Sequence, residues 1–248
     1  TARAGVPIWY VPACIARALA AIRDRFGAGS LREVTLEANP RDVTPDNMDQ
    51  WQAAGIGRLS IGVQSLAPEE LVMLGRDHRF GDGLASIERV LSHGGFVVSA
   101  DFILGTPVPG SAGPTWIPAI AGLPIDHLSV YELSIEDRTA FGKRVRDGRL
   151  VPLDEESLAS FYLMTHERLS AAGFEHYEIS NYARSGKRAV HNSLYWQGSP
   201  FLGLGVGAAS LSIAADGSAT RATNPRRAAD YMGAPDIPAE TMSIKCVE

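Results

Sequence analysis

LREVTLEANPRDVTPDNMDQWQAAGIGRLSIGVQ, residues 31–64, is the stretch that decides the fold. Leu31–Ala38 alternates in part around Val34 and Leu36, which is the period of a strand. Thr44-Pro45-Asp46 then opens a helix, with a threonine able to cap it, proline at the first helical position and an acid in the first turn. The helix runs to about Ala54 and stops at Gly55, and Gly57–Val63 starts the next strand. Strand, helix and strand in immediate succession predict two parallel strands joined by a crossover helix.

The same alternation extends in both directions. Upstream, Val11–Phe26 sets Ile15, Leu19, Ile22 and Phe26 at helical spacing, with Pro12 in the first turn and Gly27 past the end. Downstream, Pro68–Leu74 and Gly83–Ser92 read as helices, Phe96–Leu104 as a fully buried strand, Pro114–Gly122 as a short helix and His127–Ile135 as a strand. Leu153–Ala172 is the longest helix, opened by Asp154 and closed by Gly173, and the strand-like Phe174–Ser180 follows it. Beyond Gly173 aromatics, Asn and Gly gather. The expected fold is therefore α/β: parallel strands and helices over residues 1–173, then a smaller irregular α+β region over residues 174–248. In such sheets the working residues sit at the C-terminal ends of strands. That rule nominates Glu37, Asn39, Gln64, Asp101, Tyr131 and Glu136; each could equally cap a helix or bond loop backbone.

Composition excludes several classes. A net charge of −5 over 248 residues gives no basic field, which argues against nucleic acid as a partner. No apolar run reaches the roughly 18 residues of a membrane span, and Thr1–Pro7 does not read as a signal peptide, so a cytoplasmic location is expected. Cys14 and Cys246 are far apart and in no motif, which disfavours a disulfide framework or a zinc knuckle. Gly203–Gly207 (GLGVG) lacks the third glycine of a dinucleotide fingerprint and reads instead as backbone that packs closely. No nucleophile elbow, metalloprotease helix or P-loop is present. Thr1 is not an initiator methionine and Ser243–Glu248 stops without a capping signal, so the chain reads as a fragment.

Seven motifs stand in order along the chain: EANP (37–40), SIGVQS (60–65), LGR (74–76), DFILGTP (101–107), HLSVYEL (127–133), YEISNYA (177–183) and HNSLYW (191–196). In this order the chain resembles the radical SAM haem chaperones, a family also described as oxygen-independent coproporphyrinogen III oxidase-like. The resemblance implies a partial (β/α) barrel of radical-SAM type. It also implies S-adenosylmethionine and a [4Fe–4S] cluster held by three cysteines, C-x₃-C-x₂-C, because each thiolate fills one iron. That cysteine motif is absent here, so the resemblance implies a barrel lacking its first strand and cluster loop. Where the family has a glycine-rich turn, Ala4-Gly5-Val6-Pro7 keeps only Gly5 and Pro7.

By the same resemblance, Glu37, Asn39, Gln64, Arg76 and Asp101 are the contacts of S-adenosylmethionine. A ribose diol suits a carboxylate acceptor, and a zwitterionic amino acid suits both an acid and a guanidinium. Arg76 could equally be a solvated cation at a helix end. The intact H-N-x-x-Y-W motif implies haem, with His191 as axial ligand to the iron and Tyr195 and Trp196 flanking the macrocycle. A buried histidine among core aromatics is the structural alternative. His127 reads as structural, and His78, His93, His166 and His176 receive no role. Many relatives have a histidine where Ala209 stands, which removes a second candidate ligand.

The implied function is haem binding and delivery to apo-haemoproteins. Two alternatives stay open, coproporphyrinogen III decarboxylation by a longer parent and a cofactor-free relict. A barrel without its first strand exposes a sheet edge, so a homodimer is also possible.

Overall fold

The structure is a computed structural model, and it describes residues 2–4, 12–27, 29, 31–76, 81–108, 113–234 and 238–244. It divides into two compact units, Thr1–His191 and Asn192–Glu248.

In the first unit the elements run β1 (Ala2–Ala4), α1 (Pro12–Phe26), β2 (Val34–Ala38), α2 (Pro45–Ala54), β3 (Arg58–Gln64), α3 (Pro68–Met73), α4 (Asp82–His93), β4 (Val97–Leu104), α5 (Ile117–Ala121) and β5 (His127–Glu132). Next come α6 (Ala140–Arg146), α7 (Glu155–Ala171), β6 (Glu175–Glu178) and β7 (Asn181–Ala183). One seven-stranded sheet holds them in the order β1-β2-β3-β4-β5-β7-β6. The first five strands pair parallel, as the alternation predicts. The caps form as read. Thr44 accepts the Asn47 N–H, Asp154 accepts the Ser157 N–H at 2.8 Å, and Gly55 ends α2 at φ +91°, a conformation side chains resist.

The strand expected over Phe174–Ser180 forms as β6, and it opens a hairpin whose second strand, β7, pairs antiparallel with both β6 and β5. A tight turn suffices between antiparallel strands, and Glu178 holds this one by accepting from the Ser180 N–H and the Asn181 amide. Helix α6 was not expected. Thr139 caps it through the Gly142 N–H, and Gly142 packs where any Cβ would meet the Glu136 carbonyl at 2.3 Å.

Register gives the sheet two unlike faces. Leu36, Leu59 and Val98 align on one face, as do Ala38, Ile61, Ala100, Leu128 and Tyr182. Helices cover this side: Gly83 of α4 lies so near Val63 that a Cβ would come within 2.7 Å, and Met48, Trp51, Ile87 and Val90 complete the core. The other face carries Glu37, Ser60, Ser99 and His127 in one row, and Asp101, Ser129 and Asn181 in the next. Parallel strands buried on both sides are usually apolar throughout. Here Ser60, Ser99, Asp101, His127, Ser129 and Asn181 are all buried, which marks the second face as functional or hydrogen-bonded rather than simply packed.

In the second unit, α8 (Val190–Trp196), which begins at the end of the first, leads into β8 (Ala209–Ile213), β9 (Ala219–Thr223), α9 (Ala228–Gly233) and β10 (Glu240–Ile244). The three strands form a separate antiparallel sheet in the order β10-β9-β8.

Candidate functional site

The C-terminal end of β3 is strained. Gln64 sits at φ +68°, the only positive-φ residue other than glycine among the described residues, and the β3–β4 register slips between Ile61 and Gln64. Such left-handed conformations in side-chain-bearing residues cluster at functional sites. The spacing G-x-Q has a steric cause, since a Cβ on Gly62 would stand 2.8 Å from the Gln64 amide nitrogen. Beside it, Glu37 is the half-buried penultimate residue of β2, and Asn39 caps the short turn Pro40–Asp42 by accepting the Arg41 N–H. Tyr131, the penultimate residue of β5, is half-buried at the same end of the sheet, and Glu136 lies beyond it in the following loop.

Asp101 does not stand at a strand end. It lies inside β4, because the apolar run continues to Leu104, and it accepts the Ser60 hydroxyl at 2.9 and 3.1 Å while 8% exposed. Arg76 follows α3 with its side chain exposed and its backbone N–H closing the helix on Leu71. Glu37, Asn39 and Gln64 thus gather at one rim, Asp101 lies deeper in the same sheet, and Arg76 is on the surface. Gly5 and Pro7 lie outside the described residues. Near the end of β4, a cavity of about 10 Å³ is lined by Glu70, Leu104, Thr106, Trp116 and Phe161. Burial pushes the Glu70 carboxyl up, the Ser65 hydroxyl bond opposes that and the Glu69 charge adds to it.

The opposite end of the strands carries a second constellation. Arg58 heads β3, is 4% exposed and pairs with Glu33 at 2.9 Å. Its other nitrogen Nη2 donates to the carbonyls of Lys187 and Arg188 at 3.0 and 3.3 Å, and Glu33 in turn accepts the Val190 N–H at 3.0 Å. The Tyr177 hydroxyl accepts the Ala189 N–H at 3.3 Å and meets His127 Nε2 at 2.8 Å, while His127 Nδ1 meets the Ser99 hydroxyl at 2.8 Å. Both imidazole nitrogens of His127 are therefore engaged, which supports its structural reading. These contacts fasten residues 187–190, immediately before His191, to the sheet.

Arg58 and Gln64 are six residues apart on β3, roughly 20 Å by strand rise. The segment leading to His191 is thus anchored at the end of the sheet away from Glu37, Asn39 and Gln64. Reading along the sequence missed Glu33, Arg58 and Tyr177. A charged residue heading an otherwise apolar buried strand was the available signal, since such a residue needs a partner.

His191 is half-buried on α8, and one turn on, Tyr195 and Trp196 are 45% and 59% exposed. Tyr195 packs on Phe201 with ring centroids 4.4 Å apart. The alternative of core aromatics does not describe these two rings. His93, His166 and His176 lie elsewhere: His93 bonds Asp49, and His176 stacks on Tyr182 at 4.3 Å with His166 beside it. His78 lies outside the described residues.

The model of the Radical SAM superfamily matches residues 10–109. This stretch of the chain is a radical SAM domain. It is 39% identical over 207 residues to the radical S-adenosyl methionine domain-containing protein 1, mitochondrial, of Bos taurus, a match covering 82% of this chain and 46% of that protein. It is 39% identical over 199 residues to heme chaperone HemW of Mycobacterium tuberculosis, covering 78% and 50%. Against heme chaperone HemW of Escherichia coli the identity is 34% over 222 residues, covering 85% and 55%. This radical SAM chain thus spans about half the length of the curated relatives it matches. Its fold is that of the coproporphyrinogen III oxidase HemN of Escherichia coli, with TM-score 0.74 over 94% of this chain and 55% of that one, at 22% identity.

The residues of this radical SAM chain fit the superfamily's cofactors unequally. Two cysteines cannot supply three thiolates, so its own residues do not fit an iron–sulfur cluster. Carboxylate, amide and the strained Gln64 at one rim suit a polar ligand bearing hydroxyl and amino groups. No helix among the described residues is long and apolar enough to cross a membrane.

Proposed function

We propose that this chain carries the haem-binding region of a radical SAM haem chaperone, which binds haem and delivers it to apo-haemoproteins in the cytoplasm. The observation that carries the reading is the disposition of α8. His191 is anchored through the residues before it, and two large aromatic rings stand exposed one turn later. Such rings cost solvation unless something covers them, and a neutral imidazole is a natural axial ligand for haem iron. Similarity to HemW supports the choice of ligand.

In this reading, His191 binds the iron, Tyr195 and Trp196 flank the macrocycle, and the Glu33–Arg58 pair holds the backbone before His191. Haem would supply the iron that His191 coordinates. At the other end of the sheet, Glu37, Asn39, Gln64 and Asp101 are proposed to hold S-adenosylmethionine, with Arg76 reaching in from the surface. Asp101, already oriented by Ser60, would accept from the ribose hydroxyls.

The test is a titration of the chain with iron(III) haem, followed by the Soret band. The parent should give a low-spin, imidazole-ligated spectrum, and His191→Ala should lose it. An unchanged Soret band in the variant would refute His191 as the ligand.

A further inference from the structure

Gln64 stands at the centre of a three-residue turn. The Ser65 N–H donates to the Val63 carbonyl at 2.8 Å across Gln64, whose φ is +68°. A γ-turn of that hand is rare and strained, and such a conformation persists only where its surroundings over-determine it. Here the surroundings are Ser65 and Glu70. Ser65 is 1% exposed, and its hydroxyl accepts the Ala67 N–H at 2.9 Å while donating to the Glu70 carboxylate. Together with the bond to Val63, these contacts fix the residue that follows Gln64. On the other side of the turn, buried Val63 packs against Gly83 of α4.

Glu70 is an unfavourable residue to bury here. It is 9% exposed beside a cavity lined by Leu104, Thr106, Trp116 and Phe161, and none of the described residues lining that cavity is basic. A carboxylate in such surroundings carries a desolvation cost that a leucine would not. Nor does Glu70 serve its own helix. The N-cap of α3 is Ala67, which makes no side-chain bond, and Glu70 reaches past that position to Ser65, five residues back. A residue kept against its local cost points to function.

We propose that Glu70, acting through Ser65, is a positioning residue that locks Gln64 into the γ-turn, so that Gln64 stands at the rim with Glu37 and Asn39 before a ligand arrives. The use of the turn rests on the reading of that rim as the S-adenosylmethionine site; the turn itself needs no ligand. A side chain already held in its bound conformation loses less freedom on binding.

Two measurements on the full chain separate the lock from the ligand. The first needs no ligand. Glycine takes positive φ without strain, so Gln64→Gly should raise the urea midpoint more in the parent than in Ser65→Ala/Glu70→Leu, where the turn is already released. Comparing the two backgrounds cancels the effect of glycine on the unfolded chain. Leucine suits the apolar lining, so the background variant should fold. An equal shift in both backgrounds would show that the sheet alone sets the turn, and overturns the lock.

The second is calorimetric titration with S-adenosylmethionine. Glu70→Leu should weaken binding on the order of tenfold, and Glu70→Gln, whose amide oxygen still accepts the Ser65 hydroxyl, should restore it. Equal affinity in Glu70→Leu and the parent overturns the positioning role, whatever the midpoints show. A parent that binds no S-adenosylmethionine would sink the reading of the rim, and the midpoint comparison would then decide the lock alone.

Discussion

Replacing Arg58 with methionine should destabilise the first unit by about 3 kcal/mol. The substitution keeps most of the stem but removes the bond to Glu33 and the bonds to the Lys187 and Arg188 carbonyls. Glu33, 11% exposed, is left with the Val190 N–H and a Thr35 hydroxyl at 3.4 Å. Breaking a buried ion pair from one side costs about 3–5 kcal/mol. Arg58 Nη1 is buried without a hydrogen-bond partner, and removing it returns part of that cost, so the lower end is expected. With a urea slope of about 1–3 kcal/mol per molar, the midpoint should fall by about 1 M or more. Trp51 and Trp116, both buried in this unit, report the transition by fluorescence. Adding Glu33→Leu should bring the double variant back to within about 1 kcal/mol of the parent, because no unpaired charge remains. Hydrogen exchange at the Val190 amide should accelerate in both variants. A single variant within about 1 kcal/mol of the parent, or a double variant no better than the single, would refute the pairing as a source of stability.

Two further outcomes follow from local geometry. Glu70 has its carboxyl raised by burial, so its contribution to stability is complete below the ordinary glutamate value of about 4.3 and is lost as pH rises through its higher native value. Glu70→Gln should therefore gain on the parent between pH 4.5 and pH 7; parallel urea midpoints at the two pH values would count against it. Gly203→Ala forces a Cβ onto the Ala209 carbonyl and should cost the second unit about 1–3 kcal/mol. That loss is read from the thermal midpoint of Trp196 fluorescence, and an unshifted midpoint would mean that Gly203 does not pack against Ala209.

Local chemistry made much of this fold legible. Thr44, Asp154 and Gly55 act through bonds and backbone angles within a few residues, and sequence shows such arrangements directly. The alternation of strands and helices likewise carried the parallel sheet. What stayed hidden depends on register between distant strands. Asp101 lies inside the strand already read as far as Leu104, and only the pairing of β3 with β4 shows that Ser60 donates to it. The Glu33–Arg58 pair spans 25 residues and its grip on Val190 spans 157, separations at which periodicity carries no information. The second strand of the hairpin, Asn181–Ala183, escaped notice because three residues are too few to show a period. At the candidate haem helix, sequence supplied His191, Tyr195 and Trp196. The solvent exposure of the two rings came from the structure.

The grip of Glu33 on Val190 also sets an order of assembly. A contact across 157 residues forms only after the intervening chain has collapsed and the β2–β3 pair has closed. Residues 187–190 take their anchors from Glu33, Arg58 and Tyr177, two of them more than 125 residues earlier in the chain. A chain still emerging from the ribosome, or one opened locally at β2, would present His191 on an untethered segment. If His191 binds haem as proposed, the tether of Val190 to Glu33 would tie that binding to a finished sheet.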